Sequence, residues 1–464
     1  MKRRPGLHVA MLVVALIAFG ASVAGIDARA SYGAQVTADE PHYLLTAISI
    51  AEDGDLDVRD EFAEQRYRAF HAVDLVPQAR PLADGRLVEP HDPLLPVILA
   101  LPMALGGWVL AKLLLCLVAA AVAALTLWIA VRRFDVPVVP AAVTVALLGA
   151  SAPLAAYGSQ VYPEIVAALF TAVGVAALTG RLGKTGLATV CAVAVLLPWL
   201  SVKYAPVAAA LLAVAAWRLW RDGRRVPLGG LVAAGLAGAV AYLGLHHLLY
   251  DGATPYAAGS HFVDGQLTVV GSDPDYAGRS RRLVGLVVDR DFGIAAWQPA
   301  WLLMVPALAA LAARRPRGSL ALAVPLAAGW FVATFVALTM QGWWFPGRQL
   351  VVVLPLVVLA IAWWARQGGR RLLAVAVLGT IGVLAQMWIA VEASTGRLTW
   401  VVDLQTTSNP LYRGWVHVLP EYLRVSGSTW TLHGMWALAA AVVVVISYRR
   451  ERDVVEPRGS HALA

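Results

Sequence analysis

Asp39 and Glu40 stand side by side in the stretch Thr37-Ala38-Asp39-Glu40-Pro41-His42-Tyr43-Leu44, about a dozen residues past the first hydrophobic run. Two carboxylates so close to a membrane-length run are costly to keep near hydrocarbon, so they call for a polar cavity. A carboxylate held there within hydrogen-bond reach of a hydroxyl can take its proton as that oxygen attacks, which is general-base chemistry. The same pair also has a purely structural use. Asp39 suits the N-cap of a helix beginning near Pro41, with proline in its favoured first turn. The two uses are compatible.

Further charges lie at the ends of other apolar runs. Glu164, in Tyr162-Pro163-Glu164, opens one run and needs a partner, a polar cavity or the helix dipole. Lys203 sits in the turn Pro198-Trp199-Leu200-Ser201-Val202-Lys203-Tyr204, and Arg348 closes Gly342-Trp343-Trp344-Phe345-Pro346-Gly347-Arg348. Each cation suits a phosphate or a lipid headgroup. Trp343 and Trp344 suit an interfacial aromatic belt or stacking on a sugar. His91-Asp92-Pro93 offers a lone histidine for phosphate, sugar or metal, or for a surface cap. No HxH or HExxH pattern accompanies it. Arg279, Arg281, Arg282 and Arg290 with Asp289 and Asp291 form a cluster that suits a cavity mouth or mutual pairing on a solvated surface.

The elements that must position these groups are membrane helices. Of the 464 residues 59% are hydrophobic and 14% charged, and mean hydropathy is +0.68, which marks a polytopic membrane protein. Spans are predicted near 7–26, 108–131, 136–157, 162–180, 186–201, 204–220, 226–250, 294–313, 319–340, 349–365, 372–392 and 430–448. The first reads as an uncleaved helix rather than a signal peptide, because its apolar run is long enough to span. Pro93–Gly107 is apolar but short and broken by Pro96 and Pro102, so it reads as interfacial. That choice places 21 of the 37 Lys and Arg residues on one face, the inner one by the positive-inside rule, with both termini. Only 5 of 29 acidic residues share that face, so polar chemistry concentrates outside, in loops 27–107, 251–293 and 393–429. The basic residues are topology signals, and nothing in their distribution points to nucleic acid. Within the first loop, Leu44, Leu45, Ile48 and Ala51 recur at helical spacing, and Glu61–Val73 reads as a second helix. These are expected to lie along the membrane surface. Residues 1–448 form one domain and 449–464 a disordered cytoplasmic tail. Cys116 and Cys191 fall in apolar runs and make no metal or disulfide framework.

At these residues the chain resembles the GT-C superfamily of integral-membrane glycosyltransferases, in its protein O-mannosyltransferase and aminoarabinose-transferase branches. Asp39-Glu40 with Tyr43 is similar to the Asp-Glu pair of the first outer loop, and Tyr162-Pro163-Glu164 to the acidic residue of the second. Pro198–Lys203, Trp343–Arg348, Gly54-Asp55-Leu56-Asp57 and His91-x-Pro93-x-x-Pro96 resemble segments of a largely uncharacterised bacterial branch. The resemblance implies an all-α bundle of about twelve transmembrane helices with interfacial helices in the first outer loop. It implies sugar transfer from a polyprenyl-phosphate donor to an acceptor hydroxyl of a glycan, lipid or protein outside the cytoplasm. Asp39 would be the base, Glu40 and Glu164 its catalytic neighbours. Lys203, Arg348 and His91 would bind donor phosphate, and Tyr43, Tyr162, Trp343 and Trp344 would contact substrate. Aminoarabinose transferases carry Lys-Pro-Pro where this chain has His91-Asp92-Pro93, which shifts the phosphate role toward Lys203 or Arg348. No metal ligand set stands out, and a divalent cofactor is left open. The competing function is a transporter or flippase of a lipid-linked or anionic substrate, but such proteins keep polar groups near the bilayer midplane.

Overall fold

A computed structural model describes residues 6–260 and 274–455. In chain order the helices are α1 (Leu7–Val23), α2 (Glu40–Glu52), α3 (Arg59–Ala63), α4 (Leu94–Arg133), α5 (Val138–Gly149), α6 (Leu154–Tyr157) and α7 (Glu164–Leu178). Next come α8 (Lys184–Leu200), α9 (Ala205–Arg221), α10 (Arg225–Tyr250), α11 (Tyr276–Arg279), α12 (Arg282–Val288) and α13 (Ile294–Trp297). The last are α14 (Met304–Arg314), α15 (Ser319–Phe331), α16 (Leu354–Ala365), α17 (Gly369–Ser394), α18 (Pro410–Trp415) and α19 (Gly427–Val455). The described residues form no strand longer than an isolated bridge. Among the described residues seven helices are long and apolar enough to cross a membrane, and the remaining expected spans coincide with shorter apolar helices.

Pro93–Gly107 is helical from Leu94 and runs into α4, so the interfacial piece and the next span form one interrupted helix. The break falls at Gly106 and Gly107, whose backbones leave the helical region; Gly107, at φ +62° and ψ −159°, occupies a conformation essentially reserved for glycine. In the first loop α2 matches the apolar spacing. The second expected helix is cut short: α3 stops at Ala63, Gln65 turns left-handed, and only a 3-10 turn, Arg66–Ala69, follows. The polar run lacks an apolar face long enough to carry a helix through that turn.

Packing separates core from periphery. α16 is buried on all sides, with nearly every residue from Leu354 to Ala365 inside, whereas α10 and α19 expose most of their apolar surface. An all-apolar helix wrapped by protein and apolar helices facing outward are the two expected membrane arrangements. The three long loops gather at one end of the bundle. The Trp400 amide donates to the Arg29 carbonyl, the Arg80 amide to the Ala258 carbonyl, and Arg290 pairs with Glu421 at 2.6 Å. Arg279 and Arg282 do not pair with the neighbouring aspartates. They donate to the Ala337 carbonyl at 2.6 and 2.8 Å, capping the end of the π-helical turn Val332–Val336. At the opposite end, Arg314 and Arg371 both donate to Glu451, tying α19 to α14 and α17. The helix therefore continues past Tyr448 to Val455, where a disordered tail was expected, because Glu451 has two cations to reach. The rest of that tail, the basic N-terminus at Lys2-Arg3-Arg4 and residues 261–273 of the second long loop lie outside the described residues.

Candidate active site

At the long-loop end a cavity of about 460 Å³ is lined by Asp39, Tyr43, His91, Lys203, Trp344 and Arg348. These residues come from four chain segments far apart in sequence. Arg348 is its hub. Its Nη2 donates to Asp39 Oδ2 at 2.8 Å and its Nε to Glu164 Oε1 at 2.9 Å. Lys203 Nζ donates to the same Glu164 oxygen at 2.7 Å. The guanidinium also lies 3.9 Å from the Tyr162 ring centroid and 4.9 Å from that of Trp344. Two carboxylates and two cations thus balance in a desolvated cluster, which is the condition for burying charge at all.

Local structure explains how each side chain arrives. Asp39 sits at the head of α2 with helical backbone angles, and its side chain makes no capping bond. Glu40 does the local work instead. It is buried, and its carboxylate accepts the Thr37 amide at 3.3 Å and the Val161 amide at 2.8 Å, bolting the first loop to the segment before α7. Its carboxyl is pushed up by burial, against the pull of Lys112 and those two amides. Glu164 opens α7 and is 1% exposed; its second oxygen has no partner. Arg348 follows Gly347, whose φ of +84° reverses the chain where a side chain would strike Ile294 and Pro153. Trp344 stacks into the cavity wall, whereas Trp343 is 62% exposed and does not line it. Tyr162 lies beneath Arg348, fully buried.

The Asp39 carboxyl is shifted downward by its surroundings. Burial pushes it up, but the Arg348 charge, then His91 and the Arg348 hydrogen bond, hold it well below the usual carboxylate range. His91 lies tilted against Tyr43 with ring centroids 4.5 Å apart, and its Nε2 is buried without a partner. Burial lowers its pKa, against the pull of Asp39.

Several supporting residues escaped sequence reasoning. Asp92 accepts the Tyr242 hydroxyl at 2.7 Å, lies 2.9 Å from His246 Nε2, and accepts the Val202 amide at 2.8 Å. It thereby anchors the turn that carries Lys203 to the segment that carries His91. His42 lies 2.8 Å from Glu89, whose other oxygen accepts the Gln78 amide. Gln78 in turn reaches Asp39 at 3.5 Å and lines the cavity. His91-Asp92 was visible as a motif, but the partners of Asp92 lie more than a hundred residues away, beyond any local signal. A second, apolar cavity of about 280 Å³ runs between α8, α9 and α10 among Cys191, Ala194, Val195, Gly235, Gly238 and Leu243. It shares Val202 and Ala205 with the polar one.

No protein-family model matches the chain, and no curated protein matches it in sequence. The crystal structure of ArnT from Cupriavidus metallidurans bound to undecaprenyl phosphate does match in shape. The likeness covers 97% of this chain and 76% of that one, with a TM-score of 0.54 at 15% identity. Identity that low speaks for architecture, so the conclusion concerns the fold: this chain is an all-α, multi-pass membrane protein with a fold like that of the ArnT structure.

Proposed function

We propose that this protein is an inverting glycosyltransferase that moves a sugar from a polyprenyl-phosphate donor to an acceptor hydroxyl at the extracytoplasmic face. The observation that carries this reading is the convergence of Asp39, Lys203 and Arg348 on one polar cavity that adjoins an apolar groove, with Glu164 buried behind both cations. A lipid-linked sugar phosphate has those same two halves. The prenyl chain occupies the groove among α8, α9 and α10, and the phosphate meets Lys203 and Arg348. The ArnT structure of the same fold, bound to undecaprenyl phosphate, agrees with that class of donor.

The chemistry follows from charge. The acceptor hydroxyl attacks the anomeric carbon opposite the phosphate, the C–O bond to phosphate breaks, and the electron pair leaves with the phosphate. Lys203 and Arg348 stabilise the charge that develops on that leaving group. Asp39 takes the hydroxyl proton. In the free protein Arg348 holds Asp39 as a weak base. An incoming phosphate competes for the guanidinium, loosens its grip on Asp39 and raises the basicity of the carboxylate when donor is present. Glu164 keeps both cations aimed while the site is empty, and Glu40 holds the shelf.

The test is transfer by Asp39→Asn in isolated membranes with a radiolabelled lipid-linked donor. Turnover should fall by about 10²–10⁴ while expression and donor binding persist. Near-normal turnover removes Asp39 from the base role.

A further inference from the structure

At the far end of α2 from Asp39, the chain turns through Asp53-Gly54-Asp55 into α3. The turn brings Asp53, Asp60 and Glu61 together, with one carboxylate oxygen from each within 4.8 Å of the others. Asp53 and Asp60 are exposed, but Glu61 is 2% exposed and neither of its oxygens has a hydrogen-bond partner. The neighbouring charges are committed elsewhere. Asp55 accepts Ser49 Oγ at 3.0 Å and the Asp57 amide at 2.9 Å, and Asp57 accepts the Leu87 amide at 2.9 Å and Arg59 at 2.8 Å. Arg66 is drawn to Glu52 at 2.5 Å and Glu64 at 3.5 Å. A buried carboxylate without a partner is expensive, and like charges beside it add to the cost.

We propose that Asp53, Asp60 and Glu61 bind a hard divalent cation of the calcium class at this turn. The ligands are all oxygen, which selects hard cations over zinc or copper. Three oxygens no more than 4.8 Å apart lie within about 2.8 Å of a common centre, so small side-chain adjustments bring all three to a Ca–O distance of roughly 2.4 Å. Calcium accepts the irregular set that an octahedral magnesium ion resists. With three carboxylates, two of them at the surface, the affinity belongs to the weak extracellular range, about 10⁻⁴–10⁻³ M. The ion pins the C-terminal end of the helix whose other end presents Asp39. This site does not depend on the transferase reading.

The experiment is thermal unfolding of the full chain in detergent at one near-neutral pH, with chelator or with calcium or magnesium chloride from about 0.1 to about 10 mM. Calcium should raise the midpoint by about 2–5 °C. Glu61→Gln should abolish the calcium shift. Asp60→Asn, at an exposed position, should fold normally and weaken the shift, whereas Glu64→Gln should leave it intact. The proposal is overturned if calcium leaves the wild-type midpoint unmoved across that range. It is equally overturned if the shift survives in both Asp60→Asn and Glu61→Gln.

Discussion

Arg348 meets two carboxylates and two aromatic faces at once, a combination that a planar fork supports and an ammonium does not. Arg348→Lys should therefore keep the charge but lose one of the two bonds and the stacking on Tyr162 and Trp344. Donor binding and turnover are expected to fall about tenfold or more, at roughly 1.4 kcal/mol per decade, measured with lipid-linked donor in membranes. Arg348→Gln removes the charge as well and leaves Asp39 and Glu164 competing for Lys203. Breaking a buried pair in this way costs about 3–5 kcal/mol. The sign of its pH dependence follows from Asp39, whose carboxyl is held low in the fold. The stabilisation is fully present above the ordinary carboxylate pKa and fades as pH falls through the lowered one. Midpoints of wild type and Arg348→Gln should thus differ most near neutrality and converge only in strong acid. The residue scale also shows where sequence reasoning has its limit. Asp39 and Glu40, adjacent at the head of α2, point about 100° apart, and Trp343 and Trp344 diverge in a bent segment outside any helix. Asp39 and Trp344 face the cavity; Glu40 and Trp343 do not. The pattern of types located the pairs, but the local backbone decided between their members.

Elements were more legible than side-chain directions because hydrophobic length is a local signal. The run of apolar residues placed each span, and the prolines set Pro93–Gly107 apart from the span after it, while the break at Gly106-Gly107 emerged only in the fold. What local pattern could not supply was the end of a helix set by distant partners: α19 continues to Glu451 because Arg314 and Arg371 await it. The approach to Arg348 is a test at this scale. Gly347 has φ +84°, and a Cβ there would lie 2.8 Å from Ile294 Cγ2 and 3.0 Å from Pro153 Cγ. Gly347→Ala adds left-handed strain to a clash with two buried side chains, of order 1–3 kcal/mol. Relief requires the segment to shift and carry Arg348 away from Glu164. The expected outcome is a lower unfolding midpoint together with donor binding weakened as in Arg348→Lys, although no cavity side chain has changed. A normal midpoint and normal donor binding would show that the turn does not set the aim of Arg348.

At the scale of the whole molecule, the cavity, the three long loops and most acidic residues share one end, while Arg314, Arg366, Arg370 and Arg371 mark the other. By the positive-inside rule the arginine end is expected in the cytoplasm. That orientation matters to the proposed chemistry, since a glycosyltransferase site outside the cytoplasm has no nucleotide-sugar pool and would draw its donor from the lipid. The fold offers a clean measurement. Cys116 is buried and Cys191 lies half-buried on the apolar groove, so both can be replaced by alanine to give a background without reactive thiols. Val76 is 76% exposed in the first long loop, and Gln367 is exposed in the turn between α16 and α17 at the opposite end. A membrane-impermeant maleimide added to intact cells should label Val76→Cys, and should label Gln367→Cys only after the membrane is opened. The reverse pattern would place Asp39, Lys203 and Arg348 in the cytoplasm, where a water-soluble activated sugar competes with any lipid-linked one, and the proposed donor would lose its main chemical justification.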